Sequence, residues 1–93
     1  MEAKPQNHLG LYIYNFLDRT NTTLAQLTKL SGLPRSYVNL YVFGNSHPQP
    51  KQFIRLADTM ADIANMPEAS IIIRMMQAVR DDLNRKPFPP RRR

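Results

Sequence analysis

Residues 24–44, LAQLTKLSGLPRSYVNLYVFG, hold two helical patterns separated by one short break. Leu24, Leu27, Thr28 and Leu30 line the inner side of the first pattern. Thr23 precedes it, with Gln26 three residues on. In such a capping box each side chain satisfies the other residue's backbone N–H, so the helix begins at Leu24. Gly32 stands where a helix ends in the left-handed conformation, and Pro34 is tolerated only in the first turn of a new helix. A second helix therefore opens at Pro34 and runs to Phe43. It carries Val38, Tyr41 and Val42 on one side and Arg35, Ser36, Asn39 and Leu40 on another, and Gly44 closes it.

Helical patterns continue outward in both directions. Residues 7–19 put Leu9, Tyr12, Ile13, Phe16 and Leu17 on one helical face, and Thr20-Asn21 ends that helix with turn-forming side chains. The run Asn45-Ser46-His47-Pro48-Gln49-Pro50 is a loop. A fourth helix, from Pro50 or Lys51 to about Asn65, repeats the core spacing with Phe53, Leu56, Ala57, Met60, Ala61 and Ala64. A fifth runs from Pro67 to Arg85 or Lys86, with Glu68 at the positive end of the helix dipole. No segment alternates like a strand, and there is no internal repeat. The fold class is all-α, a bundle of about five helices. Residues 1–6 read as a flexible amino terminus, 7–66 as the domain, 67–86 as a carboxy-terminal helix and 87–93 as a disordered basic tail.

A chain of 93 residues suits a single domain with one modest core. Without cysteine it has no disulfide framework, zinc-thiolate site or cysteine nucleophile. It lacks the apolar run of a signal peptide or a membrane span, so a cytoplasmic location is expected. The net charge is +6, and its distribution is informative. Between Asp18 and Asp58 there is no acidic side chain, while Arg19, Lys29, Arg35, Lys51 and Arg55 all lie there. Cations left uncompensated in the middle of a small domain favour a polyanion such as nucleic acid. Arg85, Lys86, Arg91, Arg92 and Arg93 add to them.

Catalytic chemistry finds no support. His8 and His47, the only histidines, are far apart in sequence and read as surface residues. Asp81 and Asp82 point about 100° apart on a helix, so they form no acid-base pair. No Gly-rich phosphate loop or nucleophile with its base is present. No enzyme activity, metal or cofactor is expected.

Two short helices joined by a tight glycine-containing turn resemble a helix-turn-helix, whose second helix enters the major groove. The spacing resembles the Cro and lambda-repressor type, also called the xenobiotic-response-element family, over roughly residues 9–66. Leu27 precedes the turn Gly32 by five, Val38 follows it by six, Tyr41 by nine and Gly44 by twelve. Pro48-Gln49 and Phe53-Ile54-Arg55-Leu56-Ala57 are similar to the family's Pro-Ser and Leu-x-x-Leu-Ala. Thr28 stands where the family usually has alanine, and Leu24 where it often has a phosphate-contacting glutamine.

The resemblance implies base contacts from Arg35, Ser36, Asn39 and Leu40. Arginine can pair with guanine, asparagine with adenine, and an aliphatic side chain can sit on a thymine methyl. For Arg35 a phosphate contact is the alternative, for Asn39 a solvated position, and for Leu40 and Phe43 a core or partner contact. Phosphate contacts are expected from Gln26, Lys29, Tyr37, Asn45, Ser46 and Lys51, with packing on the first segment as the alternative for Tyr37. The wide stripe Ile72, Met75, Met76, Val79 and Leu83 is expected to join two copies on a palindromic site, or else to cover its own core. The Arg-rich tail is either a nonspecific phosphate contact or a solvated end.

The function expected is that of a repressor-like DNA-binding regulator of bacterial, phage or plasmid origin, binding double-stranded DNA as a homodimer. Its rival is an antitoxin or adaptor whose carboxy-terminal helix holds a protein partner. A third reading, RNA binding through the basic surface, lacks the exposed aromatic platform on which single strands stack.

Overall fold

Each helix starts and stops where its caps dictate. In the computed structural model, which describes residues 4–85, α1 spans His8–Arg19. Asn7 caps it, its side-chain oxygen accepting from the Gly10 N–H at 2.8 Å. The Thr20 hydroxyl donates to the Phe16 carbonyl at 2.8 Å, and Asn21 turns left-handed with φ of 56°. Helix α2 spans Leu24–Ser31, and both bonds of the capping box form. The Gln26 N–H donates to the Thr23 hydroxyl at 3.0 Å and the Thr23 N–H to Gln26 Oε1 at 2.8 Å. Gly32 ends it with φ of 73°, a conformation that side chains other than glycine adopt only under strain.

Helix α3 spans Arg35–Phe43, one residue later than the sequence predicts. Pro34 has extended ψ of 141° and serves as the cap, its carbonyl accepting from the Val38 N–H at 3.2 Å. Helix α4 spans Pro50–Ala64, with Pro50 in its first turn and Asn65 left-handed at φ of 56°. Helix α5 spans Glu68–Leu83 and stops short of the expected Arg85. The Asn84 and Arg85 N–H groups tie back to the Arg80 and Asp82 carbonyls at 2.9 and 3.1 Å, and Arg85 turns left-handed at φ of 57°. Among the described residues there is no strand, and no helix is long and apolar enough to cross a membrane. The flexible amino terminus expected at residues 1–6 lies partly outside the described residues, and the basic tail at 87–93 wholly so.

The helices close a ring around the core. α1 packs on α3, α3 on α2, α2 on α4, α4 on α5, and α5 back on α1. Inside lie Leu9, Ile13, Phe16, Leu27, Val38, Val42, Leu56, Met60, Ile71 and Met75, all fully buried. Each such side chain stabilises the fold by about 1.5–3 kcal/mol. Gly10 sets the approach of α1 to α3, because a β-carbon there would overlap the Val42 carbonyl oxygen.

Two apolar residues stand elsewhere than expected. Leu30 is 64% exposed, because the inner row of the short α2 is made by Leu27 and Ser31, four residues apart. Met75, predicted to face a partner, is fully buried. It belongs to the inner row Ile71, Met75, Ala78, so partner contact falls to its neighbours.

Candidate nucleic-acid interface

Helix α3 is held from one side only. Val38, Tyr41 and Val42 are buried, while Arg35, Ser36, Tyr37, Asn39 and Leu40 are exposed. Leu40 is 49% exposed, so of its three readings the core is excluded, and groove or partner contact remains. Phe43 is half-buried, with its ring edge-on to Tyr14 at 6.0 Å. Tyr37 remains 46% exposed, with its ring tilted beside Tyr41 of its own helix at 6.5 Å. Pro34 offers no side-chain cap, and the N–H groups of Arg35 and Ser36 find no carbonyl in the turn before them. The exposed tip of α3 therefore carries backbone donors as well as a guanidinium.

Besides Tyr37 on α3, the predicted phosphate contacts fall on two segments. Gln26 and Lys29 are exposed on α2, with the Gln26 carbonyl oxygen committed to the capping box and its amide nitrogen left over. Asn45 is exposed and Ser46 half-buried in the loop after α3, and Lys51 is exposed in the first turn of α4. Asn45 is fixed there by Asn7, whose amide donates to Asn45 Oδ1 at 3.0 Å.

Arg55 lies in the acid-free stretch, where the sequence alone assigns it no role. Its guanidinium lies 3.4 Å from where a β-carbon on Gly32 would stand, directly beside the turn that leads into α3. With Lys51, Leu30, Ser31, Ile54 and the carboxylate Asp58 it borders an open hollow of about 610 Å³ between α2 and α4. Only the fold brings that cation to the turn.

Among the described residues His47 pairs with Asp82, whereas Arg19, Lys29, Arg35, Lys51 and Arg55 form no ion pair with a carboxylate within 4.0 Å. Arg19 lies over the Phe16 ring at 5.8 Å, a contact that leaves its charge intact. The pKa of Glu68, at the start of α5, is raised from its ordinary value by a hydrogen bond with Asp58, with burial and the charges of Asp58 and Asp62 acting the same way. Asp58, Asp62 and Glu68 thus gather where α4 meets α5, with Asp58 also bordering the hollow beside Arg55 and Lys51.

His47 and Asp82 depart from the sequence reading. His47 Nε2 lies 2.8 Å from Asp82 Oδ2, and Asp82 also accepts from the His8 and Leu9 N–H groups at 2.7 and 3.2 Å. Neither is a bare surface residue. Among the described residues no three His, Asp or Glu side chains converge as metal ligands.

The outer stripe of α5 comprises the half-buried Ile72 and Val79 and the exposed Met76 and Leu83, joined by Ile73. No protein-family model, curated protein or solved structure matches the chain.

Proposed function

We propose that this chain is a sequence-specific DNA-binding regulator of the Cro and lambda-repressor type, acting in the cytoplasm as a dimer on a palindromic operator. Residues 24–43 serve as the helix-turn-helix, and α3 enters the major groove. The observation that carries this is the division of α3. Val38, Tyr41 and Val42 anchor it, while Arg35, Ser36, Asn39 and Leu40 are presented to solvent in a stretch with no carboxylate from residue 19 to 57.

In the groove Arg35 pairs with the O6 and N7 acceptors of guanine, Asn39 with adenine, Leu40 meets a thymine methyl, and Ser36 donates or accepts as the base requires. Each good bidentate pair discriminates by about 1–3 kcal/mol. Gln26, Lys29, Tyr37, Asn45, Ser46 and Lys51 set the register on the phosphates and carry no sequence information themselves. One such domain reads few base pairs, so two copies act on half-sites about one helical turn apart. The outer stripe of α5, Ile72, Ile73, Met76, Val79 and Leu83, joins them. Occupying a promoter then blocks or aids transcription, with no catalytic step and no cofactor.

A second reading draws on that same stripe. Ile73, Met76 and Leu83 are 55, 58 and 70% exposed, which also suits a protein partner of an antitoxin or adaptor. Selection from a randomised duplex pool tests the choice. A palindrome emerges if the chain reads DNA as a dimer; enrichment of no sequence, with a stable heteromeric complex through α5, favours the adaptor.

A further inference from the structure

The amino end of α1, the loop after α3 and the last turn of α5 meet in one polar cluster. Asp82 stands at its centre with its side chain 8% exposed. It accepts from the His8 N–H at 2.7 Å, the Leu9 N–H at 3.2 Å and His47 Nε2 at 2.8 Å. A carboxylate only accepts, so His47 donates from Nε2. Asn7 takes the next amide of α1, Gly10 N–H, and its own amide donates to Asn45 at 3.0 Å. Both groups that cap α1 thus hold a second bond into the same loop, at Asn45 and at His47.

Capping α1 does not need those second bonds. The His8, Leu9 and Gly10 amides are satisfied without His47 or Asn45, and the negative charge already sits at the favourable end of the helix dipole. What the extra bonds do is fix a loop that has no regular structure, on either side of Ser46. An unfixed loop would lose backbone entropy on meeting a phosphate, a cost of about 1–2 kcal/mol per residue ordered. A hollow lined by His47, Pro48, Phe53, Met76, Val79 and Leu83 adjoins the cluster.

We propose that Asp82 and Asn7 are positioning residues that hold residues 45–47 in the shape a DNA phosphate requires, linking the carboxyl end of α5 to the phosphate-contact loop. The proposal rests on the DNA-binding function above. His47 separates the two roles of Asp82, because removing it cuts the tie to the loop and leaves the cap on α1. His47→Gln keeps a donor near the Nε2 position, and His47→Ala does not.

The experiment compares the wild-type chain with both variants, checked by circular dichroism to be folded. Backbone relaxation of the protein alone is measured first. In His47→Ala the order parameters of Asn45 and Ser46 fall from the rigid range near about 0.85 toward about 0.6, while His8 and Leu9 keep the wild-type value. On the duplex selected by the wild-type chain, His47→Ala binds about tenfold more weakly with the same base preferences, the size of ordering about one loop residue on binding. His47→Gln restores both. The proposal is overturned if the loop of His47→Ala stays as ordered as wild type, if its affinity and salt dependence are unchanged, or if His47→Gln behaves like His47→Ala. A wild-type chain that selects no sequence overturns DNA binding instead, and with it the loop's role toward phosphate; the relaxation data still decide whether the tie orders the loop.

Discussion

Gly10 of α1 lies so close to Val42 of α3 that a β-carbon on it would overlap the Val42 carbonyl oxygen and crowd Asn7 Oδ1 at 3.0 Å. The contact sets how α3 is mounted on the domain. The backbone atom cannot swing aside as a flexible side chain would, so α1 and α3 must separate to admit a methyl group. Gly10→Ala should therefore destabilise the protein by about 1–3 kcal/mol, against the gain in helix propensity that alanine brings elsewhere. Urea unfolding checks it, and a variant as stable as wild type would remove Gly10 as a close-approach site.

The two neighbouring methionines of α5 should part company. Met75 is fully buried and Met76 is 58% exposed. Met75→Ala leaves a cavity and should cost about 2–5 kcal/mol. Met76→Lys should leave the melting temperature of the subunit nearly unchanged and shift the chain from dimer to monomer in sedimentation. A dimer unaffected by Met76→Lys would move the subunit contact away from the outer stripe.

Alkali should weaken the fold through Tyr12. Burial raises its phenol above 10.0, opposed by the charges of Arg19 and Arg74. Tyr41 is raised also, by burial and then by Tyr37. A folded value above the unfolded one means that stability is complete below about pH 10 and is lost as pH rises through the folded value. Melting temperatures taken from pH 9 to 11 should fall, and Tyr12→Phe should flatten the fall. An equal fall in Tyr12→Phe would assign it to other groups.

Arg55 should act as a phosphate contact beside the turn at Gly32. Arg55→Gln is expected to lower affinity about equally for all duplexes and to reduce the slope of log affinity against log salt by about one. Altered base preference would give it a different place, and an unchanged slope would take it off the interface.

Much of the fold is legible in local chemistry. Thr23 with Gln26, Gly32, Pro34 and Pro67 mark helix ends through backbone groups a few residues away, so the five helices can be placed to within three residues. The exposed residues of α3 come from its period and the acid-free stretch from counting. The rest depends on distance in space. Asp82 caps a helix 74 residues earlier, and no local pattern announces it. Gly10 reads as an ordinary weak helix position until Val42 is brought against it. Met75 and Met76 differ by 100° on a stripe wide enough for either to face inward, and only packing against α1 and α4 selects Met75.

The measurement closest to the central claim is selection of duplexes from a randomised pool by the wild-type chain, Arg35→Ala and Asn39→Ala, at two salt concentrations. A sequence-reading α3 predicts that the wild type recovers a palindrome, that Arg35→Ala relaxes a guanine position and Asn39→Ala an adenine position, and that both preferences persist at the higher salt. Weak binding that collapses with salt and is indifferent to both substitutions would contradict it.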